Sequence, residues 1–360
     1  TGAPGAEALP LAFAPALIAW QRVHGRSGLP WQGTHDPYVV WLSEVMLQQT
    51  QVSTVLTYFP RFLARFPHVQ ALAEASTDEV MALWSGLGYY SRARNLHRCA
   101  QAVVAQHGGI FPRSVEALAA LPGIGPSTAA AIAAFCFGEK VSILDGNVRR
   151  VLTRLLAFAG DQSEQGAQRE LWSLAQALVP VQASHADMTA YVQGLMDLGA
   201  TVCTRSRPTC LHCPVVELCR AHASGSVALY PVKTRKIQRR HETWWLLMFS
   251  RTDSRNGLQW WLERRPAKGI WAGLYCPPVF ATEGELLDAL GPTLHQRLRA
   301  LDAVSHSLTH RELRLQPLQL DWTLMESDPL GSKEGQWVDE SALVDHGLPT
   351  PVRHLLTRQA

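Results

Sequence analysis

Asp36-Pro37-Tyr38-Val39-Val40-Trp41-Leu42-Ser43-Glu44-Val45-Met46-Leu47-Gln48-Gln49-Thr50-Gln51-Val52 is the part of this chain that says most about its architecture and chemistry. Asp36 followed by Pro37 is a strong helix start, a capping side chain with proline at the first helical position. Glu44 then falls two turns into an apolar helix. Val40, Trp41, Leu47 and Gln48 share its face, and three of the four offer a carboxylate no partner. A helical glutamate is ordinarily solvated, but this pattern is too apolar for a solvated stripe. A carboxyl held there has its charged form disfavoured and its pKa raised, which suits a general acid near neutral pH. The Gln-Gln-Thr-Gln run beyond it sets amide groups at the helix end, beside that acid.

A second carboxylate stands out at Asp145. Val141-Ser142-Ile143-Leu144 leads into Asp145-Gly146-Asn147 and a helix with Val148, Val151, Leu152 and Leu155 on one face. Asp145 is expected at or just before the helix N-terminus, where free amides and the dipole favour the anion. Taken alone, it reads more readily as a plain cap. Paired with Glu44 it gives one carboxyl pushed toward neutral and one held ionised, the division of labour that glycosidic cleavage needs.

Between these two lie features suited to nucleic acid. Ser85-Gly86-Leu87-Gly88-Tyr89-Tyr90-Ser91-Arg92 is a glycine-rich loop whose aromatics and arginines suit bases and phosphates; a tight turn with inward tyrosines is the alternative. A helix opened by Ser114 and one over 127–137 flank Pro122-Gly123-Ile124-Gly125-Pro126. This resembles the helix-hairpin-helix motif of DNA-binding proteins. Its glycines let the backbone approach a phosphate, and helix amides face it. Such a contact positions DNA without reading sequence; a bare helical turn is the alternative. Arg92, Arg94 and Arg98, and Arg149, Arg150 and Arg154, are the local basic groups from which a DNA surface would be built, because the net charge of +3 does not by itself indicate one.

The seven cysteines divide in two. Cys99, Cys136 and Cys276 sit in apolar contexts and read as buried thiols. Cys203, Cys210, Cys213 and Cys219 are packed together, which points to a metal site. One tight pair flanked by two singles suits a [4Fe-4S] cluster held by four thiolates. Zinc, whose sites usually show two pairs across a longer loop, is the competitor.

At 360 residues, 47% hydrophobic and 18% charged, the chain has room for two or three ordinary domains. No apolar run approaches the roughly 20 residues of a bilayer span. Residues 1–10 do not read as a secretory signal, and a start without Met reads as trimmed or engineered. Further helices are expected over 11–23, 52–66, 77–84, 171–179 and 190–198. Pro231, Lys233, Arg235, Lys236, Arg239 and Arg240 read as a basic linker. Beyond it, strands over 244–249, 258–263 and 313–322 with helices over 283–290 and 351–357 predict a small α+β domain.

Leu29-Pro30-Trp31, Trp41 through Thr50, Gly86-Leu87-Gly88-Tyr89-Tyr90, Leu121-Pro122-Gly123-Ile124-Gly125, Ile143 through Val148 and the cysteine spacing together resemble the adenine DNA glycosylase (MutY) family. The match runs in order along nearly the whole chain. It implies a mainly α N-terminal glycosylase, a six-helix barrel with helix-hairpin-helix plus an iron–sulfur cluster domain, joined to an α+β Nudix-like domain. The expected boundaries are 1–225 for the glycosylase (barrel about 34–140, cluster domain about 1–33 and 141–225), 226–240 for the linker and 241–360 for the Nudix-like domain. It implies a monomeric cytoplasmic enzyme that flips adenine, mispaired with 8-oxoguanine or guanine, out of double-stranded DNA. Protein partners from replication or repair are left open.

By family role, Glu44 protonates adenine N7 and Asp145 stabilises the oxocarbenium ion or captures it transiently. Leu29 and Trp31 belong to the adenine pocket. Gln49 and Tyr89 wedge into the duplex, Thr50 and Leu87 face 8-oxoguanine, and Gly123, Gly125 and Ser127 hold DNA. Ser127 stands where related bifunctional glycosylases carry a Schiff-base lysine, so a monofunctional enzyme is expected. Leu308, Thr309 and His310 occupy the lesion-recognition loop, with Leu308 and Thr309 in place of the usual Phe and Ser. After Gly273 only Glu283 and Glu285 stand near the Nudix position, short of the magnesium-binding glutamate cluster, so that domain is expected to be catalytically dead. The rival readings are a glycosylase of the same fold for oxidised pyrimidines or thymine mismatches, a non-catalytic iron–sulfur DNA-binding protein, and a nucleotide pyrophosphatase.

Overall fold

The computed structural model describes residues 8–234, 238–253, 257–323, 329–331 and 335–357. Arg235 and Lys236 of the basic linker lie outside them. The chain forms two compact units, one of Thr1–Ala73 with Arg98–Lys236 and one of Glu74–His97 with Ile237–Ala360.

In chain order the helices through the cysteine region are α1 (Ala8–His24), α2 (Pro37–Leu47), α3 (Val52–Arg65), α4 (Val69–Glu74), α5 (Thr77–Trp84), α6 (Ser91–His107), α7 (Val115–Ala119), α8 (Pro126–Phe137), α9 (Gly146–Leu155), α10 (Gln165–Ala177), α11 (His185–Asp197) and α12 (Arg220–Ala223). The first unit is built around α8. That helix is apolar on every side, with Ala129, Ala130, Ala131, Ile132, Ala133 and Ala134 buried, the signature of a helix enclosed by others. Its alanines let α2, α7 and α11 pack against it. It stops at Gly138, whose φ of 71° closes the helix in the left-handed region. Phe13, Leu17, Val148, Leu152, Leu171, Tyr191 and Leu195 extend the same core across α1, α9, α10 and α11.

The second unit is a mixed sheet of β1 (Arg240–Asp253), β2 (Gly257–Arg264), β3 (Tyr275–Cys276), β4 (Val279–Phe280), β5 (Arg299–Ala300), β6 (Val304–Ser307), β7 (Arg311–Asp321) and β8 (Gly335–Asp339). Its path is β3-β2-β1-β7-β5, with β4 beside β1, β6 beside β7 and β8 beside β2. β1 and β7 run parallel from Arg240 opposite Arg311 to Ser250 opposite Asp321. Leu247 and Phe249 of β1 and Leu318 and Leu320 of β7 alternate onto one face, and Leu286 and Leu290 of the helix Glu283–Leu290 pack over it. This is the α+β domain expected from the sequence.

The segment from Glu74 to His97 contributes α5, the glycine-rich loop and the start of α6 to this second unit. The Ser85 and Tyr90 hydroxyls both donate to Leu348 O at 2.8 Å. Arg94 donates to Ala272 O at 2.7 Å, and Arg353 donates to Ser85 Oγ at 3.1 Å.

Candidate active site and cysteine loop

α2 begins as expected: the Asp36 carboxylate accepts the Tyr38 amide at 2.8 Å, with Pro37 at the first helical position. Val40, Trp41, Val45 and Met46 are buried around Glu44, which is half-buried and opens on a cavity. That cavity, about 1390 Å³, is also lined by Leu29, Trp31, Gln48, Gln49, Thr50, Ser127 and Asp145. Burial, and then the nearby charge of Asp145, push the Glu44 carboxyl from an ordinary 4.5 up to about 7. Near neutral pH it therefore exchanges a proton readily.

Asp145 caps α9, its carboxylate accepting the Val148 amide at 2.7 Å. The sequence suggested an anion stabilised by the helix start, and the structure corrects this. Burial is the largest influence and raises the Asp145 pKa. The Val148 and Asn147 amides, with Arg150 and Arg149, offset it only in part. The two carboxyls face the same cavity with both acidities weakened, Glu44 to about 7.

Around them the walls are fixed by local bonds. Trp31 is only 8% exposed and packs edge-on against Phe59 at 5.3 Å. Leu29 N donates to Gln32 Oε1 at 3.1 Å, and Gln32 Nε2 donates to Arg26 O at 3.0 Å. Arg26 donates through Nε and its amide to the fully buried Asp197, at 2.6 and 3.0 Å. Gln48 donates to Thr128 Oγ1 at 3.3 Å, and Ser127 Oγ accepts the Leu144 amide at 3.1 Å. Gln49 is exposed with φ of 57° and Thr50 is half-buried, so the run after Glu44 leaves the helix at once. Gly123, with φ of 76°, and Gly125 are exposed while Leu118, Leu121 and Ile124 are buried, which presents the hairpin backbone to solvent.

The remaining predicted residues belong to the second unit. Leu87 is buried, whereas Tyr89 is 46% exposed with φ of 47°. Leu308 is half-buried, and Thr309 and His310 are exposed in the β6–β7 turn. The Thr309 hydroxyl donates to the Tyr89 hydroxyl at 3.3 Å. The structure thus brings Glu44, Asp145 and their neighbours together in one unit, and Tyr89 and Thr309 together in the other.

Of the six arginines proposed for a DNA surface, Arg92 and Arg154 are internal, Arg94, Arg149 and Arg150 are half-buried and Arg98 is exposed. Arg92 is 8% and Arg154 3% exposed. Arg92 donates to Leu87 O and Gly88 O at 3.1 Å, holding the glycine-rich loop from within. Arg154 donates to Thr204 O at 2.7 Å, Arg205 O at 3.1 Å, Val227 O and Tyr230 O at 3.2 Å, and Cys203 Sγ at 3.3 Å. Arg150 reaches Cys203 O at 2.8 Å, Gly199 O at 2.6 Å and Asn147 Oδ1 at 2.9 Å. These two arginines tie α9, whose first residue follows Asp145, to the cysteine loop.

All four loop cysteines are free thiols, and Cys203, Cys213 and Cys219 pack against the core of the first unit. Burial first, and then the nearby Cys203, Cys219 and Cys210, push the Cys213 thiol up to about 12. Short turns set the loop, with Cys213 N bonded to Cys210 O at 3.0 Å and Cys219 N to Val216 O at 3.0 Å. Among the described residues, no group of three or more His, Cys, Asp or Glu is arranged to hold a single metal ion. A polynuclear cluster makes a different demand, since each thiolate binds its own iron and the four need not converge on one point. Four thiols gathered on one loop, with the Arg154 guanidinium at a sulfur, fit such a group.

Residues 42–177 match the HhH-GPD superfamily of base excision DNA repair proteins, and residues 253–358 match the NUDIX domain. The adenine DNA glycosylase of Buchnera aphidicola subsp. Schizaphis graminum is 32% identical over 347 residues, which cover 96% of this chain and 97% of that protein. The chain belongs to the adenine DNA glycosylase family. The family member of Mus musculus is 36% identical over 386 residues, covering 91% of this chain and 74% of that protein. Among solved structures, a thermostable thymine-DNA glycosylase superposes with a TM-score of 0.54 at 26% identity, covering 61% of this chain and 98% of that one.

As a member of the adenine DNA glycosylase family, the chain shows site features that its sequence hid. Arg26, Thr189, Gln193 and Met196 line the same cavity from α11 and the segment after α1. No periodicity marks them, because they converge only through folding. The spacing of Arg150 and Arg154, one helical turn apart before the cysteines, was the available signal for their shared role.

Proposed function

We propose that this chain is a monofunctional DNA glycosylase that removes adenine mispaired with 8-oxoguanine or guanine. The observation that carries the reading is Glu44, with a pKa of about 7, beside Asp145 on the wall of one cavity. Such an enzyme pays to unstack the adenine and receives it in a pocket. Glu44 gives its proton to adenine N7, and the N-glycosidic bond breaks with its electron pair leaving on the base. Asp145 in its ionised form stabilises the oxocarbenium ion that remains. Water adds to the anomeric carbon, loses a proton, and an abasic site results.

Ser127, which accepts the Leu144 amide, offers no amine for a Schiff base with the sugar. Cys203, Cys210, Cys213 and Cys219 are the residues that would hold a [4Fe-4S] cluster. When bound, it supplies iron–thiolate bonds that cross-link the loop, and a capacity for one-electron transfer. The NUDIX-type domain serves recognition, with Leu308, Thr309 and His310 directed to the lesion and Tyr89, bonded to Thr309, wedging into the duplex. Helix Glu283–Leu290 uses Glu285 as a local acceptor, for the Ala281 amide at 3.0 Å.

The test is single-turnover release of adenine from duplexes carrying A opposite 8-oxoguanine, G or T, with wild type and Glu44→Gln compared. Fast release from the first, little from the last, and loss in the variant support the reading. Wild-type protein with its iron intact that releases no adenine would refute it.

A further inference from the structure

α11 ends at Asp197, and the chain continues through a π-helical turn, Leu198–Val202, before Cys203. Turns of this kind interrupt the α-helical ladder and recur where a helix is re-aimed near a functional site. Gly199 lies buried in this turn. A methyl group built on it would meet Asn147 Cβ at 2.8 Å, Asn147 O at 3.0 Å and Asn147 C at 3.1 Å. Gly199 is not in the left-handed region, so glycine supplies space here rather than conformational freedom.

The atoms that a side chain would strike are backbone and Cβ atoms, not the end of a flexible side chain. Relief therefore requires backbone to move, either α9 or the turn that carries Gly199. Asn147 is the second residue of α9 and Asp145 is its cap, with the Asp145 carboxylate bonded to Val148 N at 2.7 Å. The two segments cannot simply part, because Arg150 clasps them: it bonds Gly199 O at 2.6 Å, Asn147 Oδ1 at 2.9 Å and Cys203 O at 2.8 Å.

We propose that Gly199 is a positioning residue for Asp145, setting through its missing side chain how deep α9 begins beneath the cavity. The inference rests on the proposed role of Asp145. A displacement of the order of 1 Å in a group facing a reacting centre costs about 100-fold in rate. Gly199→Ala calls for a displacement of that order, and alanine brings no polar atom and no loss of helix propensity.

The experiment uses the full chain with its iron content verified. Gly199→Ala is expected to slow single-turnover adenine release by about 10- to 100-fold. Affinity for the same duplex should change by less than about threefold, and visible absorbance and iron per protein should match wild type. Asn147→Gly removes the closest of the atoms struck but keeps Asn147 O and C, so Gly199→Ala should slow the Asn147→Gly protein by a smaller factor than it slows wild type, a non-additivity that simple destabilisation does not produce. A Gly199→Ala rate within twofold of wild type would overturn the inference. So would parallel loss of iron and duplex affinity, which would assign Gly199 to the loop alone. If Asp145→Asn leaves adenine release intact, the proposed chemistry fails instead.

Discussion

Glu44→Gln should make the protein more stable at alkaline pH while abolishing its chemistry. The native carboxyl has a pKa of about 7 against an ordinary 4.5. Below 4.5 it is protonated in folded and unfolded chains alike, and its burial carries no charge penalty. Between 4.5 and 7 the native state holds a proton that the unfolded state has released, so stability falls as pH rises through this window. Above 7 both states are ionised and the penalty is complete. At about 1.36 kcal/mol for each tenfold change in acidity, it amounts to about 3 kcal/mol, less whatever solvent reaches the half-buried group. Glutamine keeps the shape and cannot ionise, so the variant escapes the penalty. Urea unfolding of both proteins at pH 5 and pH 8, followed by a probe in the first unit, measures it. The curves should differ by less than about 1 kcal/mol at pH 5 and separate by about 2–3 kcal/mol in favour of the variant at pH 8. Equal stability at pH 8, or a wild-type curve flat across the window, would refute a buried, proton-holding Glu44.

Three further outcomes follow from the same geometry. The wild-type rate of adenine release should fall about tenfold per pH unit above 7, and Asp145→Asn, which removes the second-largest influence on Glu44, should move its titration to lower pH, read by carboxyl-resolved NMR. Asp145→Asn should also retain the α9 cap, since asparagine caps well, yet release adenine at least about 100-fold more slowly; thermal unfolding and single-turnover assays separate the two effects. Borohydride should trap no covalent adduct between wild-type protein and substrate DNA, and efficient trapping on a gel would contradict the reading of Ser127.

Where the sequence carried a local rule, it could be read closely. The Asp36-Pro37 start, the Ser114 cap, the Asp145 cap and the helices Thr77–Trp84 and Glu283–Leu290 all follow from capping residues and apolar period. α6 was not anticipated, because Arg92, Arg94 and Arg98 were read only as basic groups for a DNA surface. Its apolar stripe of Ala93, Leu96, Cys99, Ala100 and Val103 was nevertheless legible at helical spacing. The parallel pairing of β1 with β7 joins segments remote in sequence, and no local pattern encodes it. The acidity of Asp145 was misread for a related reason. Its cap is a local property, but its burial depends on how α9 packs against segments such as α11 and the turn after it, which arrive from elsewhere in the chain.

The assignment of Glu74–His97 to the second unit means that the polypeptide passes between the two units three times, not once. They are consequently not interchangeable modules. A chain cut at residue 234 would keep α5 and the glycine-rich loop but strip away Leu348, Ala272 and Arg353, to which Ser85, Tyr90 and Arg94 are bonded. Trp84 and Val80, fully buried in the intact protein, would lose the surroundings to which they are fitted. For such a chain, a premature stop after the linker does more than delete a recognition domain. It also unseats the segment bearing Tyr89 in the portion that survives.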